Sequence, residues 1–162
     1  SENIEMQLNA GAELIMIFDS SAHLLGTDDF TKYIEKMFEQ IFTKFSKKIG
    51  YYAKDYIDYD AIISLNGSKG ACLAGVGIDS KEPLTKYFTQ SRDYFIQGNF
   101  DEKKMLLPND SMKIELEKYI NGLSNFTDQQ RAGWICGLGH GILKETPEEN
   151  VKTFVKMIRE AF

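Results

Sequence analysis

Short apolar runs alternate along the chain with segments in which apolar residues recur every three or four positions. The first run, LIMIFD at 14–19, predicts a buried strand. Four more strand-like runs follow it, at 49–55, 71–79, 93–99 and 133–139. They are largely apolar rather than alternating, which is typical of strands that are covered on both faces.

The intervals between these runs carry helical spacing. Apolar residues at steps of three and one along 30–45 form a single stripe, with Thr27 predicted to cap this helix and Gly50 to end it. The residues TPEE at 146–149 predict a capping box, with the threonine as the cap and the proline at the first helical position. Shorter helices are predicted over 59–65, 83–88 and 112–120.

Strands that alternate with helices predict a parallel sheet with helical crossovers. This pattern is compatible with half of a (β/α)8 barrel or with a small open sheet. The 162 residues suffice for one hydrophobic core, and we expect a single domain over 1–162. Glycines and small polar residues follow the strands, at the end of the sheet where α/β proteins bind their ligands.

Charge and composition exclude several classes of partner. With 19 Lys and Arg against 24 Asp and Glu, the formal charge of −5 gives no general attraction to nucleic acid or to an anionic membrane surface. No apolar run approaches the roughly 20 residues of a membrane span. A secretion signal is not recognisable, and Cys72 and Cys136 are interpreted as buried thiols, so we expect a cytoplasmic location. Neither cysteine has a Cys or His at ligand spacing, so no zinc site is expected.

Five motifs then occur in a specific order: AGAELIMIFDS, YYAKD, VGIDSKEPL, FIQGNFD and GLGHGILKETPEENV. They are spread over nearly the whole chain, which resembles the C-terminal half of uroporphyrinogen decarboxylase. The resemblance implies an α/β fold, the C-terminal half of a (β/α)8 (TIM) barrel. It also implies a decarboxylase of haem biosynthesis that converts the four acetate groups of uroporphyrinogen III to the methyl groups of coproporphyrinogen III. Members of this family use no metal and no organic cofactor.

The resemblance also assigns a few site residues. Ser20 and His140 match positions that contact the porphyrinogen substrate, while Lys54, Asp79 and Asn99 match other strand ends and are expected to line the cleft. No residue is assigned a catalytic role. The arginine-rich segment, the essential aspartate and the tyrosine of the family belong to its N-terminal half and have no counterpart here. We therefore expect this chain to be inactive alone.

Two positions differ from the family pattern, and the positions of the arginines also bear on whether this chain can bind the substrate. Ser80 stands where the family often has tryptophan, and Gly137 stands where it has asparagine, which leaves a divergent paralogue open. The chain has three arginines, Arg92, Arg131 and Arg159. None of them is predicted at the ligand-binding end of the strands, although several substrate carboxylates must be bound there.

Two other interpretations stay open. The first is a zinc-dependent methyltransferase of the same superfamily, acting on corrinoid proteins or thiols, although YYAKDY lacks the expected ligands. The second is a non-catalytic half-barrel that binds a partner. Open sheet edges predict pairing with a missing N-terminal half, or self-association into a homo-oligomer. Without the resemblance, His140 in its glycine-rich turn is more often structural, and Ser20 is an ordinary turn residue.

Overall fold

A computed structural model describes residues 1–55, 58–67 and 72–162, so Ala71 of the predicted strand 71–79 lies outside the described residues. Parallel strands alternate with helices, which confirms the predicted α/β class, and the strand order is the chain order. The strands are β1 Ile15–Asp19, β2 Ile49–Ala53, β3 Gly75–Gly77, β4 Phe95–Gln97 and β5 Trp134–Ile135. The helices are α1 Glu2–Asn9, α2 Thr27–Met37, α3 Tyr59–Ser64, α4 Thr85–Phe88, α5 Asn109–Ser124, α6 Asp128–Arg131 and α7 Glu148–Ala161.

The chain divides into two compact units. Unit 1 comprises Ser1–Ile78 and Asp93–Ile96, and unit 2 comprises Asp79–Arg92 and Gln97–Phe162. Each unit is described by itself, and the single domain over 1–162 stays a prediction. No helix in the described ranges is long and apolar enough to cross a membrane.

Unit 1 is built on in-register parallel strands. Asp19 of β1 lies opposite Ala53 of β2, so the carboxyl ends of these two strands are level. On one face of β2, the fully buried Tyr51 meets the ring of Phe42, which lies beyond the C-terminal end of α2. The opposite face carries Phe95, whose ring occupies the space that a side chain at Gly75 would need.

Unit 2 has its own core, in which α5 packs against α7. Its buried residues are Phe100, Met105, Met112, Leu116 and Phe154. Asn150 of α7 is buried beside them, and its amide donates to the carbonyls of Met105 (2.9 Å) and Leu107 (2.8 Å). The loop before α5 is therefore joined to α7 by two hydrogen bonds whose donor is shielded from water.

The predicted stripe along 30–45 is confirmed, but both predicted ends of that helix are wrong. Gly26 occupies the cap position with an extended backbone, and Thr27 is already helical, so its side chain makes no capping bond. After Met37 the helix widens into a π-helical turn, Phe38–Phe42, and the chain turns at Lys47 with a positive φ of 59°. Gly50 lies inside β2 instead of ending the helix.

The capping box predicted at 146–149 is also wrong. Pro147 takes the cap position with an extended backbone, so Thr146 stands one residue too early, and its buried hydroxyl has no hydrogen-bond partner within the described residues. The structure does contain a capping box, at the start of α6. There Gln130 N–H donates to the Thr127 hydroxyl (3.3 Å), and Thr127 N–H donates to the Gln130 side chain (2.9 Å).

Candidate functional site

Ser20 lies immediately after β1, and its side chain is exposed. Residues 19–22, which we name the Ser20 turn, are ordered by the carboxylate of Asp19. One oxygen of Asp19 accepts the backbone N–H of Ser21 (3.0 Å), and the other accepts the hydroxyl of buried Tyr51 (2.8 Å). Charge-assisted bonds of this kind are stronger than bonds between neutral groups, so they fix the turn that presents Ser20.

Asp19 receives a second phenol from α2. Tyr33 bonds to the same carboxylate, and its pKa is raised above the usual value by burial and by the charge and hydrogen bond of Asp19. A carboxylate that holds two hydroxyls and one amide joins β1, β2 and α2. Asp19 has no role predicted from the sequence, because an acidic residue at a strand end gives no sign of which donors will meet it.

Lys54 follows β2 and lies beside the Ser20 turn. Its backbone N–H donates to the carbonyl of Asp19 (2.9 Å). The side chain is half-buried, and its ammonium has no hydrogen-bond or ion-pair partner among residues 1–55, 58–67 and 72–162. Within unit 1 the structure therefore brings two predicted site residues, Ser20 and Lys54, to adjacent strand ends.

Asp79 and Asn99 are joined in unit 2. Both are buried, with 6% exposure each. The side-chain amide of Asn99 donates to the carbonyls of Asp79 (2.9 Å) and Glu82 (2.5 Å), and Asp79 accepts the N–H of Lys81 through its own carboxylate (2.9 Å). Residues 79–82, named the 79–82 loop, are thereby closed on themselves and anchored to the end of β4.

Glu82 adds a charged group to this loop that the sequence analysis did not identify. Its carboxylate accepts the hydroxyl of buried Tyr87 (2.8 Å) and the ammonium of Lys86 (3.2 Å). Lys86 stands four residues after Glu82, so the ion pair follows helical spacing across the start of α4. This four-residue spacing is the feature of the sequence from which the ion pair could have been predicted.

His140 lies on residues 137–141, named the His140 turn. Phe100, which follows Asn99, holds this turn by accepting the N–H of Gly139 (2.8 Å) and by donating to the carbonyl of Gly137 (3.0 Å). A Cβ atom at Gly139 would lie 2.3 Å from the backbone nitrogen of Ser80, so the turn and the 79–82 loop are in direct backbone contact. Only glycine permits this approach.

The imidazole of His140 is half-buried, and its Nδ1 lies 3.2 Å from the carbonyl oxygen of Gly141. A carbonyl oxygen only accepts, so Nδ1 carries the proton in this contact. The neutral ring then presents Nε2 as a proton acceptor, and the protonated ring presents it as a donor. The turn thus offers one ring nitrogen to a ligand and uses the other to hold the ring.

The chain has two cysteines, Cys72 and Cys136. Burial raises the pKa of the Cys136 thiol to about 12. Cys72 and Cys136 are both free and half-buried. In the ranges that the structure describes, no three His, Cys, Asp or Glu side chains come together as metal ligands.

Comparison with known proteins gives one consistent result. The sequence profile described as uroporphyrinogen decarboxylase (URO-D) matches residues 1–161. The chain belongs to the uroporphyrinogen decarboxylase family. Uroporphyrinogen decarboxylase of Chlamydia muridarum is 31% identical over 96% of this chain and 45% of its own length. The Rickettsia bellii enzyme of that name is 33% identical over 95% and 44%, and the Thermus thermophilus one is 29% identical over 97% and 44%.

The chain therefore spans less than half the length of these curated relatives, a share that agrees with the C-terminal half indicated by the motifs. A chain of that extent covers about half of the family's TIM barrel. The two departures from the family pattern differ structurally. Ser80 packs against Gly139, whereas a Cβ atom at Gly137 would have nothing within 4 Å.

Two of the three arginines are used inside unit 2. Arg92 donates to the carbonyls of Tyr87 and Ala132, both at 2.6 Å. Arg131 donates to the carbonyls of Leu123 and Phe126 and pairs with Asp128. The third, Arg159, lies on an exposed position of α7. The guanidinium groups of Arg92 and Arg131 are thus bound to backbone carbonyls of unit 2.

Proposed function

We propose that this chain provides the C-terminal part of a uroporphyrinogen decarboxylase site. The reaction removes carbon dioxide from the four acetate groups of uroporphyrinogen III and yields coproporphyrinogen III without a cofactor. Ser20 and His140 contact the substrate in this proposal, and Lys54 lines the cleft. The observation that carries it is the family match over residues 1–161. It is combined with the imidazole of His140, whose Nδ1 is held by the carbonyl of Gly141 and whose Nε2 is directed away from that carbonyl.

The chemistry explains what such residues do. Loss of carbon dioxide from an acetate beside a pyrrole is easiest once a ring carbon is protonated, because the cationic ring accepts the electrons that the carbon–carbon bond releases. A proton must then replace the lost carboxylate on the methylene carbon. Groups that donate protons and groups that bind carboxylates are therefore required. The ring of His140 suits either task, and the ammonium of Lys54 suits a carboxylate of the substrate.

The arginine positions support a second part of the proposal, that the isolated chain is inactive and a complementary N-terminal segment supplies the remaining groups. Unit 1 offers a surface for that segment. Within the described residues β1 pairs with β2 alone, so one edge of β1 has unpaired backbone groups. Phe18 of β1 is 65% exposed, and Leu24, five residues after the end of this strand, is 73% exposed, although solvent exposure of large apolar side chains is unfavourable.

The test is reconstitution. The chain is purified alone and mixed with the N-terminal segment of the Rickettsia bellii relative, and coproporphyrinogen is measured from uroporphyrinogen after oxidation to the porphyrins. The mixture is expected to be active and each component inactive. Robust activity of this chain alone would overturn its dependence on a complement. A complex that forms but leaves uroporphyrinogen unchanged would overturn the decarboxylase assignment.

Single substitutions connect the activity to the proposed residues. His140→Asn and Ser20→Ala are expected to lower the activity of the mixture at least tenfold and severalfold, respectively, because each removes a substrate contact worth about 1 kcal/mol or more. His23→Asn is the matched control, since His23 is exposed and no role is proposed for it. Equal losses in His140→Asn and His23→Asn would remove the substrate role of His140.

A further inference from the structure

Asn99 is a buried residue of unit 2 whose hydrogen bonds have no role in the proposed function. Its side chain is 6% exposed, and both of its amide hydrogens are directed at backbone carbonyls, those of Asp79 and Glu82. Its backbone N–H donates to the hydroxyl of Tyr119 (3.1 Å), which is buried behind it. All the hydrogen-bond donors of Asn99 are thus bound to the protein, which is unlike a side chain that awaits a ligand.

The two carbonyls that Asn99 binds are the two ends of the 79–82 loop. The loop also closes on itself, because Glu82 N–H donates to the carbonyl of Asp79 (3.1 Å). A single amide that holds both ends fixes the position of everything between them. Ser80 is in that interval, and its backbone is the part of the loop that meets Gly139.

The same strand end reaches the His140 turn by a second route. Phe100, the next residue after Asn99, exchanges hydrogen bonds with Gly139 and Gly137. The turn is therefore held on one side by the backbone of Phe100 and on the other by the backbone of Ser80, whose loop Asn99 holds. His140 is the next residue after Gly139, the position where both supports meet.

From this geometry we propose that Asn99 is a positioning residue that sets the location of His140 through the 79–82 loop and Gly139. This proposal extends the proposed function, in which His140 contacts the substrate. It assigns Asn99 no contact with the substrate.

Nuclear magnetic resonance of the isolated chain tests the placement directly. The chain has two histidines, so imidazole carbon–proton signals of His140 and His23 are readily separated, and His23 is an internal reference in unit 1. Asn99→Asp keeps the shape and removes both amide donors. It is expected to move the His140 signal by more than a line width and to leave the His23 signal in place. Asn125→Asp, at an exposed asparagine of unit 2, carries the same charge change and is expected to move neither.

A folded Asn99→Asp chain with an unmoved His140 signal would overturn the proposal. If that variant does not fold, Asn99→Ser decides the same question, because serine keeps one donor in a smaller side chain. Movement of the His140 signal in Asn99→Ser supports the positioning role, and an unmoved signal overturns it.

The reconstituted mixture adds a readout that a purely structural residue would not change. If Asn99 acts through His140, the loss of kcat/KM in the Asn99→Asp, His140→Asn double variant equals the loss in His140→Asn alone. Multiplicative losses would overturn the proposal. If the wild-type mixture shows no activity, the proposed function fails, and the resonance experiment still decides the placement of His140 by Asn99.

Discussion

The Ser20 turn and the His140 turn both follow strands, and both carry a predicted substrate residue, but different physical forces hold them. In the Ser20 turn, the carboxylate of Asp19 accepts Tyr51, Tyr33 and the amide of Ser21. In the His140 turn, Phe100 exchanges backbone hydrogen bonds with Gly137 and Gly139, and Gly139 packs directly against the backbone of Ser80.

This difference teaches what each turn tolerates. A turn ordered by side-chain hydrogen bonds depends on one acceptor and on the two or three donors that meet it, so the loss of the acceptor leaves buried donors unsatisfied. A turn ordered by close backbone approach depends on the absence of a side chain, so any added atom displaces it. The following substitutions separate the two cases.

The largest effect is expected in the His140 turn. Gly139→Ala places a methyl group 2.3 Å from the Ser80 nitrogen, and backbone atoms do not move aside as a flexible side chain would. We expect the free energy of unfolding to fall by about 3 kcal/mol, the upper range for overpacking. Chemical denaturation measures it. Gly141→Ala, on the other side of His140, meets nothing within 4 Å and is the matched control. Equal stabilities of the two variants would show that close packing does not hold this turn.

The next effect is expected in the Ser20 turn. Asp19→Ala leaves the hydroxyl of buried Tyr51 without its acceptor, and we expect a loss of about 2 kcal/mol in the free energy of unfolding. Asp28→Ala, at an exposed position in the first turn of α2, is the control for removing one carboxylate. A loss in Asp19→Ala no larger than the control's would mean that backbone packing holds this turn as well.

Much of this fold follows from the sequence, and the reason is visible in the two turns. Periodicity identified α2 and the strands because burial of apolar side chains is a property of many residues at once. The ends of elements depend on single residues. Thr27 and Thr146 were wrongly predicted as caps because Gly26 and Pro147 take the cap positions, and Gly50 lies inside β2 instead of ending a helix. Trp134–Ile135 is all that remains of the strand predicted over 133–139, because the following residues turn toward Phe100.

The candidate site was predictable in part. The motifs predicted Ser20 and His140 as substrate residues, and both lie in turns that follow strands; their contact with a substrate stays a prediction. They did not distinguish Lys54, whose ammonium is unpaired in the described part of the chain, from Asn99, whose donors are all used by the protein. That distinction depends on hydrogen bonds between residues far apart in sequence, such as Asn99 and Asp79. The acceptor Asp19 was missed for the same reason, because its donor Tyr51 is 32 residues away. Thr127 is different: its capping box with Gln130 is a local Thr-x-x-Gln pattern that the sequence does display.

Alkaline pH is expected to lower the free energy of unfolding by a smaller amount, through a buried thiol next to the His140 turn. Cys136 precedes the His140 turn, and burial raises the pKa of its thiol to about 12 in the folded chain. Because the unfolded chain releases this proton near pH 9, the stabilisation is complete below that pH and is lost as pH rises toward 12. We expect the free energy of unfolding to fall by about 1 kcal/mol between pH 9 and 10 from this group.

Cys136→Ala should remove this fall, whereas Cys72→Ala keeps Cys136 and should retain it. Thermal denaturation at a series of pH values provides the measurement. The decline that remains in Cys136→Ala is expected at higher pH, where the phenols of Tyr33 on α2 and Tyr119 on α5 titrate, because burial raises the pKa of both. An unchanged profile in Cys136→Ala would contradict the burial of its thiol.

The smallest effect is expected where the sequence departs from its family at Gly137. A Cβ atom there meets nothing within 4 Å, and the backbone φ is not positive, so the asparagine of the family pattern needs no rearrangement. Gly137→Asn should stay within about 0.5 kcal/mol of the wild-type free energy of unfolding and leave the His140 resonance in place. Comparison of Gly137→Asn with Gly139→Ala, two positions away, tests whether close packing is confined to one glycine of the turn. A loss as large as that of Gly139→Ala would extend the packed region to Gly137 and make this departure a structural requirement instead of a neutral substitution.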